Sequence, residues 1–248
     1  MIKQKSITVY VFMLLMMQTL LFSPSVKAQQ VAADHKSLSL IEQSIIKVAS
    51  LTAKGDLDQL KIELNKALDA GLTLNETKEV LVHAYAYCGF PRSIRALQTL
   101  MDVTENRKAK GINDHAGKDA TKIQSQETKY NRGKNILGEL TQVPQPVELS
   151  GYSAFSPVID TFLKEHLFAD IFERDILTYA QRELVTISVI SAIGEAEPML
   201  KSHFNITLKT GISPNQLQQF VEIIKSTIGK KEAKAAQKVL NEVLVSQK

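Results

Sequence analysis

The stretch that decides the fold is Arg182–Gly211, RELVTISVISAIGEAEPMLKSHFNITLKTG. It opens on a charged pair, Arg182 and Glu183, at the edge of a run in which Leu184, Val185, Ile187, Val189, Ile190, Ala192 and Ile193 are apolar. That is too many for one narrow stripe, so the pattern predicts a helix buried over most of its circumference. Gly194 is a natural stop, because glycine takes the left-handed conformation that ends helices. Pro198 suits the first turn of a second helix, where its missing N–H costs little. That helix carries His203 and ends at Gly211. Glu183 and His203 therefore fall on consecutive helices of one hairpin, and a carboxylate and an imidazole so placed can act as an acid/base pair. Counted from the turn, Glu183 lies about five residues farther out than His203, roughly 7 Å along a helix axis. The reading expects water or a substrate between them rather than a direct hydrogen bond.

Working outward, helical spacing continues after Gly211 in two segments, Pro214–Ile228 and Glu232–Val245. On the other side it runs through Ile159, Phe162, Leu163 and Leu167 to Phe172. Before that, from Thr104 to about Ser156, Gly, Lys, Asp, Asn, Gln and Pro dominate and apolar periodicity is lost. This reads as a linker with one short helical piece near Tyr130–Leu140. A loop of this length usually wraps a surface or borders a site. The first half shows Leu38–Thr52 closed by Gly55, a helix from Leu57 to Leu68 closed by Gly71, and a third capped by Thr73. The third runs into Cys88-Gly89-Phe90-Pro91, read as a break, and a fourth helix follows. No segment alternates with a period of two, so the fold class is all-α.

The two halves are copies of one helical unit. Displaced by 140 positions, ALDAGLTLNE (67–76) lies over TLKTGISPNQ (207–216). Gly71 meets Gly211, Thr73 meets Ser213, and Gly89 meets Gly229. On this register His203 corresponds to Glu63 and Glu183 to Gln43. The division is a leader at 1–28, a first repeat at 38–103, a linker at 104–158 and a second repeat at 159–245.

The leader has a short basic start, an apolar run of about 15 residues and a small polar end at Val26-Lys27-Ala28, which is the pattern of a cleaved secretory signal peptide. The run is shorter than the ~20 residues a membrane span needs. Cleavage after Ala28 removes Lys3, Lys5 and Lys27 and lowers the formal charge from +4 to +1. The basic character is thus no argument for nucleic acid, and no span is expected in the mature chain, placed in the periplasm or outside the cell. Cys88 is the only cysteine, so no internal disulfide can form.

Taken in order, the REL opening, the apolar helix ending in Gly194, His203, Gly211 and the segment AYAYCGFP resemble the carboxymuconolactone decarboxylase family, which has an alkylhydroperoxidase D-like helical fold. The resemblance covers both repeats. It implies an all-helical protomer, a homo-oligomer (trimer or hexamer), and one of two chemistries. The decarboxylase branch removes carbon dioxide from a small lactone acid without metal or organic cofactor. The hydroperoxidase branch uses a C-x-x-C pair beside a glutamate and a histidine. Glu183 and His203 match the shared glutamate and histidine, but Glu195-Ala196-Glu197-Pro198 stands where the redox pair would be. Two carboxylates and a proline cannot form a disulfide.

The candidate residues carry two readings each. Glu183, if buried, would have its charged form disfavoured and so exchange protons near neutral pH; otherwise it pairs with Arg182. His203 is either its partner or a satisfied structural histidine. Glu195, at the turn, either meets substrate or is a solvated carboxylate. His83 and Tyr87, four apart on one helix face, either line the pocket or pack at a helix interface. Cys88 is either a nucleophilic or peroxidatic thiol or an inert buried one. The histidines and carboxylates do not complete a four-ligand metal set at usual spacing. The expected partner is a small-molecule substrate, and the alternatives to an acid/base enzyme are a Cys88-dependent antioxidant and a non-catalytic binding protein.

Overall fold

The structure, a computed structural model, describes residues 37–247. The signal-peptide assignment at 1–28 lies outside the described residues. The first repeat contains α1 (Leu40–Lys54), α2 (Leu57–Asp69) and α3 (Leu74–Ala109). The linking region carries α4 (Lys129–Thr141) and the short α5 (Gly151–Phe155). Next come α6 (Pro157–Phe162) and a π-helical segment, Leu163–Phe172. The second repeat has α7 (Tyr179–Ile193), α8 (Glu197–Lys209), α9 (Pro214–Thr227) and α10 (Lys230–Ser246). There is no strand among the described residues, and the all-α, two-repeat reading stands.

The repeats share their helix punctuation. Thr73 and Glu76 form a reciprocal cap at the start of α3, and Ser213 and Gln216 form the same cap on α9. Each is preceded by a left-handed glycine, Gly71 at φ 100° and Gly211 at φ 97°. The first helices match likewise: Ser39 with Glu42 caps α1, and Thr178 with Gln181 caps α7. These caps differ by 139 positions rather than 140. The connection from α7 to α8, Gly194–Ala196, is one residue longer than Gly55-Asp56, which joins α1 to α2. Within the first helix Glu183 therefore corresponds to Ser44 and Arg182 to Gln43, which corrects the pairing of Glu183 with Gln43. In the second and third helices the register of 140 holds.

Two expectations change on inspection. Cys88–Pro91 is not a loop between helices. The chain stays helical on both sides of Gly89, whose φ of 79° and ψ of 162° redirect the axis within α3. Pro91 falls in the first turn after this kink, where no backbone donor is needed, and the Ser93 hydroxyl donates to the Leu81 carbonyl at 2.7 Å across the bend. The segment to Phe172 is helical, but with the wider π winding. Its large buried apolar side chains, Leu167, Phe168, Ile171 and Phe172, are related by intervals of four and five, which a wider turn accommodates.

Helix α7 is the central strut: every residue from Arg182 to Ala192 is buried, as the unbroken apolar pattern predicts. It packs along α1, its counterpart in the other repeat. The third helices cross over, α3 packing on α7 and α9 on α1. Any site on α7 is therefore bordered by the first repeat.

A second, smaller cluster joins Ile136 and Leu140 of α4, the apolar face of the π segment and Ile206 of α8, with Tyr85, Tyr87 and Tyr179 at its margin. Close packing is possible because α4 presents Gly133: a Cβ there would meet the Lys164 carbonyl oxygen at 1.7 Å. Charged pairs fasten the same contact, Arg132 to Glu173 at 3.0 Å and Lys129 to Asp170 at 2.9 Å. The remainder of the linking region wraps the start of α3. The backbone N–H groups of Leu74 and Asn75 donate to the His115 and Ala116 carbonyls, both at 2.9 Å.

Candidate active site

Helix α7 turns Arg182 and Glu183 in different directions, because adjacent residues on a helix lie ~100° apart. Both side chains are fully buried, and they do not pair with each other. Glu183 faces α8, where its Oε2 lies 2.9 Å from Nδ1 of His203. This direct contact overturns the expected gap. The connecting residues are not helical: Gly194 has φ 71° and ψ 177°, and Ala196 has φ −135°. Glu195 between them is left-handed at φ 55°, so counting residues at the 1.5 Å helical rise does not hold across this turn.

With Glu183 ionised, Nδ1–H of His203 donates to Oε2 and Nε2 is left as the working nitrogen. The His203 side chain keeps 14 % of its surface and Glu183 none, so the imidazole stands between the buried carboxylate and the outside. Nε2 has no hydrogen-bond partner among the described residues. Oε1 of Glu183 is buried and likewise unpartnered.

Arg182 points the other way, into α3. Its Nη2 donates to Oε1 of Glu79 at 2.7 Å and to the Arg174 carbonyl at 2.6 Å. Arg174 also meets both oxygens of Glu79, at 2.9 and 3.1 Å from its Nε. Nη1 of Arg182 lies 3.2 Å from Nδ1 of His83. A guanidinium only donates, so Nδ1 accepts and the proton of His83 is on Nε2. That nitrogen then donates to Thr186 Oγ1 at 2.9 Å, and Thr186 donates to the Arg182 carbonyl at 3.0 Å. Burial, then the charge of Arg182, then His203, hold His83 well below its ordinary pKa, so it is neutral.

Tyr87 closes the arrangement. Its ring stacks on His83 at 5.7 Å between centroids and meets the edge of His203 at 5.9 Å. The hydroxyl is buried and unpartnered. Burial, and then the charge of Glu183, push the phenol well above its usual pKa. Among the described residues four buried side-chain polar atoms lack a partner, and three of them belong to Tyr87, Glu183 and Arg182. Native proteins leave few such groups unsatisfied without a reason.

Of the candidate residues, the structure brings Glu183, His203, Tyr87 and His83 together. His83 has both nitrogens occupied and lies behind Tyr87, so it positions neighbours rather than meeting a ligand. Glu195 is exposed in the turn at φ 55° and stands outside the cluster. Cys88 does too: its thiol donates to the Ala84 carbonyl at 3.1 Å, and burial pushes it up to about 11. Glu79, Arg174 and Thr186 were not anticipated. Glu79 was within reach of the sequence, since Glu79, His83 and Tyr87 recur every four residues and so share one face. No three or more His, Cys, Asp or Glu side chains among the described residues are grouped to hold a metal ion.

Comparison with known proteins places the chain among relatives. A 61-residue stretch is 33% identical to 4-carboxymuconolactone decarboxylase of Acinetobacter baylyi, covering 25% of this chain and 46% of that protein. The match thus spans a little under half the length of that relative. The profile of the carboxymuconolactone decarboxylase family matches twice, at residues 26–101 and 157–242. With both helical repeats accounted for in this way, the chain belongs to the carboxymuconolactone decarboxylase family.

Proposed function

We propose that this protein is a carboxy-lyase that removes carbon dioxide from a small carboxylated lactone by acid/base chemistry, without a cofactor. The observation that carries the reading is the Glu183–His203 contact of 2.9 Å, with the carboxylate fully buried and the imidazole at the boundary. A buried carboxylate holds an imidazole in one tautomer and stabilises its charged form, so that Nε2 takes up and delivers a proton. Decarboxylation needs such a delivery. The bond from a ring carbon to the carboxylate breaks, carbon dioxide leaves, and the electron pair stays on the lactone. The imidazolium then gives its Nε2 proton to carbon and regains one from water. The relative named for 4-carboxymuconolactone suggests that compound as the first to assay.

The test follows carbon dioxide release from 4-carboxymuconolactone and related small lactone acids. Glu183→Gln and His203→Asn should each abolish most turnover while the fold, followed by circular dichroism, persists. Turnover that survives both substitutions would sink the reading. Failure of the wild type to release carbon dioxide from any candidate substrate would favour the non-catalytic alternative. A Cys88-dependent peroxidase is poorly served by a thiol pushed up to about 11, since the thiolate is the reactive form.

Export belongs to the same proposal, resting on the tripartite leader at 1–28. No helix among the described residues is long and apolar enough to cross a membrane. Assembly into a homo-oligomer, trimer or hexamer, is carried by family membership and is checked by light scattering of the mature chain.

A further inference from the structure

Glu183 and His203 account for the proton, but not for the charge that a decarboxylation leaves behind. When carbon dioxide departs from an unsaturated lactone, the electron pair runs through the conjugated system onto the lactone carbonyl oxygen. That oxygen gains negative charge in the transition state, and a preorganised donor aimed at it is the usual means of stabilising it.

We propose that Tyr87 is a catalytic residue of this site, its hydroxyl donating a hydrogen bond to the lactone oxygen that becomes the enolate. The inference rests on the carboxy-lyase reading above and adds a residue from the other repeat. Three observations point to it. The Tyr87 hydroxyl is buried yet makes no hydrogen bond of normal geometry: the Thr186 hydroxyl lies beside it but is already engaged with His83 and the Arg182 carbonyl, and a buried O–H left unpaired is costly. Its ring is fixed on both faces of the problem, stacked on His83 at 5.7 Å and edge-on to His203 at 5.9 Å. His83 cannot rotate away, because Arg182 and Thr186 hold its two nitrogens at 3.2 and 2.9 Å.

The second unpartnered atom, Oε1 of Glu183, belongs to the residue whose Oε2 holds His203. A lactone acid with its carbonyl oxygen against Tyr87 and the carbon to be protonated against Nε2 of His203 would use both functions at once. The phenol does not give up its proton. Its elevated pKa keeps it a donor throughout the working pH range. Atoms and electrons balance as follows: the ring carbon–carboxylate bond breaks, carbon dioxide leaves, the enolate forms under the Tyr87 hydrogen bond, and the imidazolium of His203 protonates carbon.

The test is Tyr87→Phe in the full mature protein, which keeps the ring and removes the hydroxyl alone. With 4-carboxymuconolactone, kcat should fall by about 10²–10³-fold, the usual loss for one such donor, with KM within about threefold. An unchanged kcat would overturn the proposal. A binding experiment separates this claim from the lyase reading. 4-Nitrophenolate, an enolate-like oxyanion, is titrated into wild type and Tyr87→Phe and followed by its absorbance. Wild type should bind at least about tenfold more tightly, one lost hydrogen bond to a charged acceptor. Equal affinity, or no binding to either protein, overturns the Tyr87 role. A wild type that binds the phenolate in this way but decarboxylates nothing would retire the lyase reading and leave the oxyanion contact standing.

Discussion

The two repeats build one frame twice, and only the second fills it with the buried acid/base groups on which the proposed chemistry rests. In the second repeat, α7 and α8 present Arg182, Glu183, Thr186 and His203, and α3 crosses over them with Glu79, His83 and Tyr87. The same frame in the first repeat is made by α1, α2 and α9, and there the counterparts are Gln43, Ser44, Lys47, Glu63, Gln219, Ile223 and Thr227. Where the second repeat pairs Glu183 with His203 at 2.9 Å, the first has Lys47 and Glu63 at 3.7 Å, with side chains 31% and 14% exposed. Where Arg182 and Glu79 form a fully buried pair, Gln43 Nε2 donates to the Leu38 carbonyl and Gln219 Oε1 accepts from the Leu38 N–H, both at 2.9 Å. The backbone frame therefore does not require charge. Glycines and caps build it equally well around neutral amides, so the buried charges of the second site are additions that cost stability, for which the proposed function supplies a reason.

This contrast can be broken most sharply at the dyad. Glu183→Gln or His203→Asn should lower kcat by roughly 10³-fold, within the range of general acid–base catalysis. Glu63→Gln at the repeat-related position should leave turnover unchanged. Comparable losses in both would show that the first-repeat site works as well.

Stability offers the next largest difference. Arg182→Met strands Glu79 beside Arg174 alone and leaves His83 without its donor, so urea unfolding should lose about 3 kcal/mol, as for breaking a buried pair. Its counterpart Gln43→Met should cost well under that, about 1 kcal/mol for a single neutral hydrogen bond. Equal costs would mean that the ion cluster contributes nothing beyond filling space.

His83 sharpens the comparison with Ile223 through pH. Its folded pKa is depressed below the unfolded value near 6.5 by burial and by Arg182. The unfolded chain therefore takes up this proton first as pH falls. The contribution to stability is complete above about 6.5 and is lost below it, with a slope of about 1.4 kcal/mol per pH unit. His83→Gln should flatten the stability profile between pH 6.5 and 5 by that amount. Profiles that remain parallel would show that His83 titrates normally.

The smallest effects are expected at Lys47 and Cys88. Lys47→Met removes a partly exposed ion pair, worth about 0–1 kcal/mol. Cys88→Ala should leave turnover and any peroxide consumption unchanged, because the thiol is committed to the Ala84 carbonyl. Peroxide consumption that vanished with Cys88 would revive the thiol reading.

Much of this was legible from the residues. Local rules wrote the helix ends: Gly55, Gly71, Gly194 and Gly211 stand where helices stop, and Thr73 caps α3. Burial of α7 followed from its lack of a polar stripe. The pairing of Glu183 with His203 was legible as a position, and the family follows from the order of motifs. The π winding before Phe172 was not, because intervals of four and five fit either helix; the one-residue slip between repeats was written in the glycines, Gly55 and Gly194 lying 139 apart where Gly71 and Gly211 lie 140 apart, but a single register of 140 passes over it.

What only the tertiary structure decided is which buried groups meet. The crossing of α3 over α7 brings Glu79, His83 and Tyr87 to Arg182 and Thr186, residues about a hundred positions apart in the chain. The non-helical turn at Gly194–Ala196 and the packing of α8 on α7 closed a gap that helix arithmetic alone would leave open. Helix propensity, capping and amphipathic pattern act within a few residues, so the sequence by itself determined the elements and their faces. Hydrogen-bond partners, neutral against charged histidine, and the unpaired Tyr87 hydroxyl depend on long-range packing geometry, where ångström differences in how helices cross decide whether two polar atoms bond.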